Sequence, residues 1–260
     1  MSFTTIVDVL PVLYAFSMKK LAIVILAALS PLFGFHVSAQ FVLDFESPTY
    51  SDGELVGQDG WTGTSDLFTV DTSTGNLEAD GSSSGASLFV QQRLTASDLG
   101  VGDITNLTGT WEVDYVISIP TLGGGSILGD ISLRTGSADS SANNFKTLSN
   151  FRLFESGRIR FDNTNYENAI TTTGFNTVTL SLNFDTLQST LLVNSSALAT
   201  AGFVSDTQGY LDLVRLTKNS GVNYLVDSIT VSQVPEPSTY ALLGLGALGL
   251  LILRRRQSSQ

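Results

Sequence analysis

The chain has 260 residues, 13 Lys+Arg against 24 Asp+Glu, a formal net charge of −11 and no cysteine. Without cysteine there is no disulfide framework, no thiol nucleophile and no thiolate metal site. The acidic balance argues against nucleic acid as a partner, because neutralising phosphates takes Lys and Arg.

Residues 1–17 carry one charge, Asp8, of the wrong sign for a basic leader. They read as an upstream extension, with Met18 the true start. Lys19 and Lys20, the 15-residue apolar run Leu21–Phe35 and the small-residue exit Val37-Ser38-Ala39 follow. These are the three parts of a secretory signal peptide, spanning 18–39. Pro31 and Gly34 end its helix. The apolar run is shorter than the ~20 residues a membrane span needs. Cleavage is expected between Ala39 and Gln40, which implies the Sec machinery and signal peptidase as partners.

Residues 40–234 hold 22 acidic and 8 basic residues, a net charge of −14, and no histidine. Apolar residues alternate with polar ones at period two along Phe41–Glu46, Thr110–Ile119, Val178–Phe184, Leu211–Leu216 and Val222–Val231. Further runs lie at 67–70, 86–94, 127–133, 151–154 and 158–161, with turn clusters such as Gly81–Gly85 and Gly123–Gly125 between them. Asp185-Thr186 reads as the turn joining 177–184 to 188–193. No window shows a sustained 3.6-residue stripe. About 12 short strands with regular turn signals predict an all-β, antiparallel β-sandwich of jelly-roll type over 40–233.

The C-terminal part reads Pro235-Glu236-Pro237, then an apolar helix over 239–253, then Arg254-Arg255-Arg256 and the tail 257–260. The prolines fix φ and remove two N–H donors, so the segment stays extended. The uninterrupted run Tyr240–Leu253 makes only ~21 Å of helix at 1.5 Å per residue, short of the ~30 Å hydrocarbon core. The three arginines act as a cytoplasmic stop, which puts residues 40–233 outside. Gly244–Gly249 spells G-x-G-x-x-G, but a dinucleotide site needs a strand before it and a βαβ unit around it. These glycines suit close helix approach instead.

A Pro-Glu-Pro segment, a short apolar helix and an Arg cluster over 234–256 resemble the PEP-CTERM sorting signal of Gram-negative bacteria. The resemblance implies an exosortase partner that reads Pro235, Glu236 and Pro237 and removes the helix. It also implies a path from the inner membrane to the cell surface, outer envelope or extracellular matrix, beside exopolysaccharide. Asp44-Phe45-Glu46, Tyr50 and Gly57-Gln58-Asp59-Gly60-Trp61 resemble the start of concanavalin-A-like and laminin-G-like domains. Leu191–Asn194 and Val226–Val231 resemble later strands of such domains. The resemblance implies a lectin-like jelly roll and carries no ligand with it.

Lacking His and Cys, the expected domain is closed to the familiar triads, and only carboxylates remain. Jelly-roll glucanases of the laminarinase type use Glu-x-Asp-x-x-Glu. Here Glu112-Val113-Asp114 begins that pattern, but Ile117 stands where the acid/base Glu belongs. A retaining mechanism needs both carboxyls ~5.5 Å apart, so the expectation is a protein that is not an enzyme and interacts with carbohydrate. A secreted polysaccharide-degrading hydrolase is the alternative. No cofactor is expected. The runs Asp71–Asp80 and Asp162–Asn165 read as turns, with a structural Ca²⁺ left open. Among the aromatics, Trp111 and Tyr115 read as core, whereas Trp61 and Tyr166, in Gly- and Asn-rich surroundings, are the candidates for a ligand-facing role, with packing under a loop as the competing reading. Arg152, Arg158 and Arg160 read as partners of local carboxylates, with binding of an anionic polysaccharide as the alternative.

Overall fold

The computed structural model describes residues 40–64, 67–80, 88–135, 146–204, 211–219 and 222–235. The signal segment through Ala39, Glu236, Pro237, the helix over 239–253 and Arg254–Arg256 lie outside the described residues. Among the described residues no helix is long and apolar enough to cross a membrane.

The period-two alternation becomes strands. In chain order these are β1 (Gln40–Leu43), β2 (Gly53–Glu54), β3 (Thr62–Gly63), β4 (Phe68–Asp71), β5 (Asn76–Ala79), β6 (Leu88–Arg93), β7 (Thr110–Ser118) and β8 (Ile127–Thr135). There follow β9 (Lys146–Phe154), β10 (Ile159–Phe161), β11 (Thr164–Tyr166), β12 (Asn176–Asn183), β13 (Gln188–Val193), β14 (Ser196–Gly202), β15 (Leu213–Lys218) and β16 (Tyr224–Gln233). The first sheet runs β14-β13-β12-β7-β16-β5-β4-β2, with β1 also on β16, and the second runs β11-β10-β9-β8-β15-β6-β3. Every pairing is antiparallel. The fold is the expected all-β, antiparallel β-sandwich.

Strands β7 and β12 show why the sheets stack. Trp111, Val113, Tyr115 and Ile117 are buried, while Glu112, Asp114 and Val116 on the opposite face are half-buried. Tyr115 of the first sheet meets Phe151 of the second edge-on, ring centroids 5.7 Å apart. One continuous cluster of buried side chains joins both inner faces, the arrangement that removes two apolar faces from water at once.

The hairpin 177–184 to 188–193 forms as expected, with Asn183↔Gln188 as its last pair. Asn183 Oδ1 accepts the N–H groups of Asp185 and Thr186 and so closes the turn. Two further hairpins have two-residue turns, Asp162-Asn163 and Asn194-Ser195, with all four residues at positive φ. That backbone matches the right-handed strand twist. Gly157 has φ +76, and a Cβ there would lie 2.0 Å from the Ile170 carbonyl.

The two sheets carry opposite charge. Strands of the first hold Glu54, Asp71, Glu78, Glu112, Asp114 and Asp227, and no Lys or Arg. Strands of the second hold Arg93, Arg134, Lys146, Arg152, Arg160, Arg215 and Lys218, and Asp130 as their one acid.

Candidate functional site

Strand register places a polar strip across the outer face of the first sheet. Side chains directly opposite one another share a face. One row therefore reads Thr200, Thr190, Ser181, Glu112, Ser232 and Gln40, from β14 to β1. The Thr190 and Thr200 hydroxyls are 2.8 Å apart, which shows the row in contact. A second row sets Thr179 and Thr230 on either side of Asp114. The Thr179 hydroxyl donates to Asp114 Oδ1 at 2.5 Å.

The two carboxylates differ in surroundings. Burial, then the neighbouring charge of Asp114, holds the Glu112 carboxyl above its ordinary range. Ile117 is fully buried and points into the core, so β7 offers no third carboxylate. A bulge in β16 inserts one residue between Val226 and Ser228, opposite Val116 and Ile117. That residue is Asp227. At the Leu225 end of β16, Asp71, Asn76, Glu78, Thr121 and Asn223 line an open depression of about 520 Å³. Asn223 Nδ2 donates to Glu78 Oε1 within it.

The structure corrects one aromatic assignment. Trp61 is 1% exposed. Its Nε1 donates to Tyr50 Oη at 3.2 Å, and its ring lies 6.1 Å from that of Phe45. The Tyr50 hydroxyl in turn donates to Asp59 Oδ2 at 3.0 Å. The Gly57–Trp61 motif is a clip that builds this contact. Gln58 Nε2 donates to the Ser51 and Glu54 carbonyls, and its Oε1 accepts the Ser51 N–H. Asp59 and Gly60 take positive φ and turn the indole inward. Glycines flanking a Trp look like an exposed loop in sequence, but here they bend the chain over the core.

Tyr166 is half-buried on β11, packed against the core cluster. Trp111 and Tyr115 are core residues. Among the acidic runs, Asp52 Oδ1 accepts the amide and hydroxyl of Thr72, and Asp71 Oδ1 those of Ser73. Those donors hold both carboxyls below their ordinary range, hydroxyl first. Arg152 makes a two-point pair with Asp130 at 2.6 and 3.0 Å, and Arg158 reaches Glu167 at 3.5 Å. Arg160 bonds the Asn163 side chain and pairs with no carboxylate among the described residues. Sequence reading had Thr179 and Ser181 as the polar half of a strand. Their place beside Glu112 and Asp114 came from register.

No curated protein sequence matches the chain. Among solved structures it is similar to a sialidase, at 10% identity and TM-score 0.45, over 67% of this chain and 17% of that one, so it spans about a sixth of the sialidase. It is similar to the apo Crh5 transglycosylase at 12% identity and TM-score 0.48, over 76% of this chain and 85% of that one. It is also similar to arcelin-5, a lectin-like defense protein from Phaseolus vulgaris, at 11% identity and TM-score 0.45, over 75% and 97%. Residues 233–256 match the PEP-CTERM protein-sorting motif, which marks an exported protein of Gram-negative bacteria and implies exosortase processing.

Proposed function

We propose that this is a cell-surface or extracellular-matrix protein, released from the inner membrane by an exosortase, whose β-sandwich holds carbohydrate without cleaving it. The match of residues 233–256 to the sorting motif carries the reading. Pro235 is exposed and follows β16 directly, after the Val234 N–H donates to the Thr110 carbonyl. The sorting segment thus begins directly after the last strand, and its two prolines fix φ and remove N–H donors, which suits the extended form a protease-like cleft binds.

The carbohydrate part is supported by the strip on the first sheet. Hydroxyls and carboxylates in register over six strands offer both donors and acceptors to sugar hydroxyls. Ile117, buried where the Glu-x-Asp-x-x-Glu pattern has its acid/base glutamate, supports binding over hydrolysis. The raised Glu112 carboxyl beside Asp114, with Asp227 at the bulge, is the observation favouring a hydrolase as the second reading.

Sorting is tested by blotting tagged protein in fractions from hosts with and without the exosortase. Glu236→Ala should leave membrane insertion intact and block release. If the apolar segment stays attached in both hosts, the sorting reading fails. Retention on gels containing a neutral β-glucan should fall in Thr179→Val/Ser181→Val. Hydrolysis of that glucan, lost in Glu112→Gln, would replace the binding reading with the enzymatic one.

A further inference from the structure

The outer face of the second sheet holds an arrangement that the first sheet does not explain. On β8, Asp130, Ser132 and Arg134 are alternate residues and point outward together. Register sets Arg152 beside Asp130 and Arg160 beside Arg152. Arg215 stands beside Ser132, with Gln91 on its other side. Leu213 has Arg134 on one side and Arg93 on the other. Five arginines therefore cross the sheet obliquely from β10 to β6. That is four strand spacings, about 19 Å.

Arg134 and Arg215 form the centre of this band. Both are half-buried, and the Nε of each is buried without a hydrogen-bond partner. Neither forms an ion pair with a carboxylate among the described residues. The Arg215 Cζ lies over the Phe89 ring, 3.7 Å from its centroid, so the guanidinium is seated on that face. Burial, then the charge of Arg134, pushes Arg215 down to about 10. Burial likewise lowers Arg134. Two guanidiniums on neighbouring strands thus repel each other in a partly desolvated place.

We propose that this band, centred on Arg134 and Arg215, binds the carboxylates of an acidic polysaccharide such as a polyuronate. The proposal goes beyond the carbohydrate strip, because it lies on the other sheet and takes the opposite charge. Planar guanidiniums match carboxylates in two-point geometry. Asn150 and Gln91, half-buried in the row that runs through Ser132 and Arg215, supply partners for sugar hydroxyls. A single-stranded nucleic acid would need open aromatic faces for its bases, and Phe89 is covered by Arg215. The domain's net charge of −14 also disfavours a phosphate backbone.

The test uses the full chain in neutral detergent, run on gels containing polygalacturonate or a neutral β-glucan. Polygalacturonate should retard the wild type, less so at about 0.5 M salt, where screening is strong. Arg134→Gln/Arg215→Gln, with its β-sheet circular dichroism intact, should weaken that retention about tenfold, the loss expected of charged two-point contacts. Asp130→Asn, which releases Arg152 from its ion pair, should strengthen it. Thr179→Val/Ser181→Val should leave it unchanged, so failure of the neutral-glycan strip and failure of this band are separate results. The proposal is overturned if polygalacturonate does not retard the protein, or if both arginine and Asp130 variants behave as wild type. It is also overturned if the double variant abolishes a salt-sensitive self-association while polygalacturonate has no effect. That result would make a second copy, with its acidic first sheet, the occupant.

Discussion

Gln40 lies directly opposite Ser232, so the first strand of the sandwich closes on its last. Strand β1 covers the end of β16 that β5 leaves open, pairing Gln40–Leu43 with Ile229–Ser232. Leu43 is 2% exposed and enters the core beside this pairing. A chain begun at Asp44 should lose about 3 kcal/mol, from one buried Leu and a short ladder. Thermal unfolding should then fall by about 10 °C. An unchanged midpoint would show that β1 contributes nothing to the domain.

The Tyr50–Asp59–Trp61 network gives a second measurement. Burial first, and then the Asp59 charge, push the Tyr50 phenol well above its usual range, so it serves as a fixed neutral donor. Tyr50→Phe removes the acceptor for the Trp61 Nε1 and the donor to Asp59. The cost should be about 1–3 kcal/mol. Trp61→Ala should cost about 3–5 kcal/mol by leaving a cavity. Denaturant titration reads both, and glycan retention should be unchanged in whatever Trp61→Ala protein folds.

Glu112 sets a pH dependence of defined sign. Its folded-state carboxyl binds a proton more tightly than the unfolded chain does. Stability from this site therefore falls as pH rises from the unfolded carboxylate range through the raised value, and stays lower above it. Glu112→Gln should raise the melting temperature at pH 7 by about 2 °C and change little at about pH 3, where Glu112 is protonated in both states. Asp52 and Asp71 act oppositely: their contribution is present above the unfolded range and lost as pH falls through their depressed values. Equal shifts for Glu112→Gln at both pH values would show an effect of shape, not charge.

Ser195 sits at φ 65 in the β13–β14 turn, a conformation that costs an L-residue with a Cβ. Ser195→Gly creates the Asn-Gly pair that such two-residue turns favour. It should stabilise by about 0.5–1 kcal/mol. A drop in the urea midpoint would contradict the turn geometry.

The long alternating strands were legible because each carries its own burial code. Val178, Leu180 and Leu182 read as one face, and the structure buries all three. Strand β14 was missed because Ala197, Ala199 and Ala201 are too small to mark a face. Strand β5 was missed because it follows directly on the Asp71–Gly75 turn cluster. Strand β11 was missed because Asp162-Asn163 read as part of a longer loop, although it is only the two-residue turn before Thr164. Trp61 misled for a local reason, since polar neighbours do not show which way a loop folds. The hydroxyl strip could not be read at all, and of the arginine band only Arg152 and Arg160 stood out, without Arg134 and Arg215 at its centre. Glu112 meets Ser181 and Ser232, and Arg215 meets Ser132 and Gln91, only through pairings between residues far apart in the chain.

Strand β16 has a mechanical consequence. It lies inside the first sheet, with β7 on one side and β5 and β1 on the other. Its register with β7 runs from Leu225 to Gln233, and Val234 adds a bond to Thr110 before Pro235. Tension applied at the C-terminal end, against a ligand gripping the sheet, pulls along this strand. The load then falls on the whole ladder at once, in shear, instead of opening its bonds one after another. A tether attached there would hold under steady drag better than one attached at an edge such as β14.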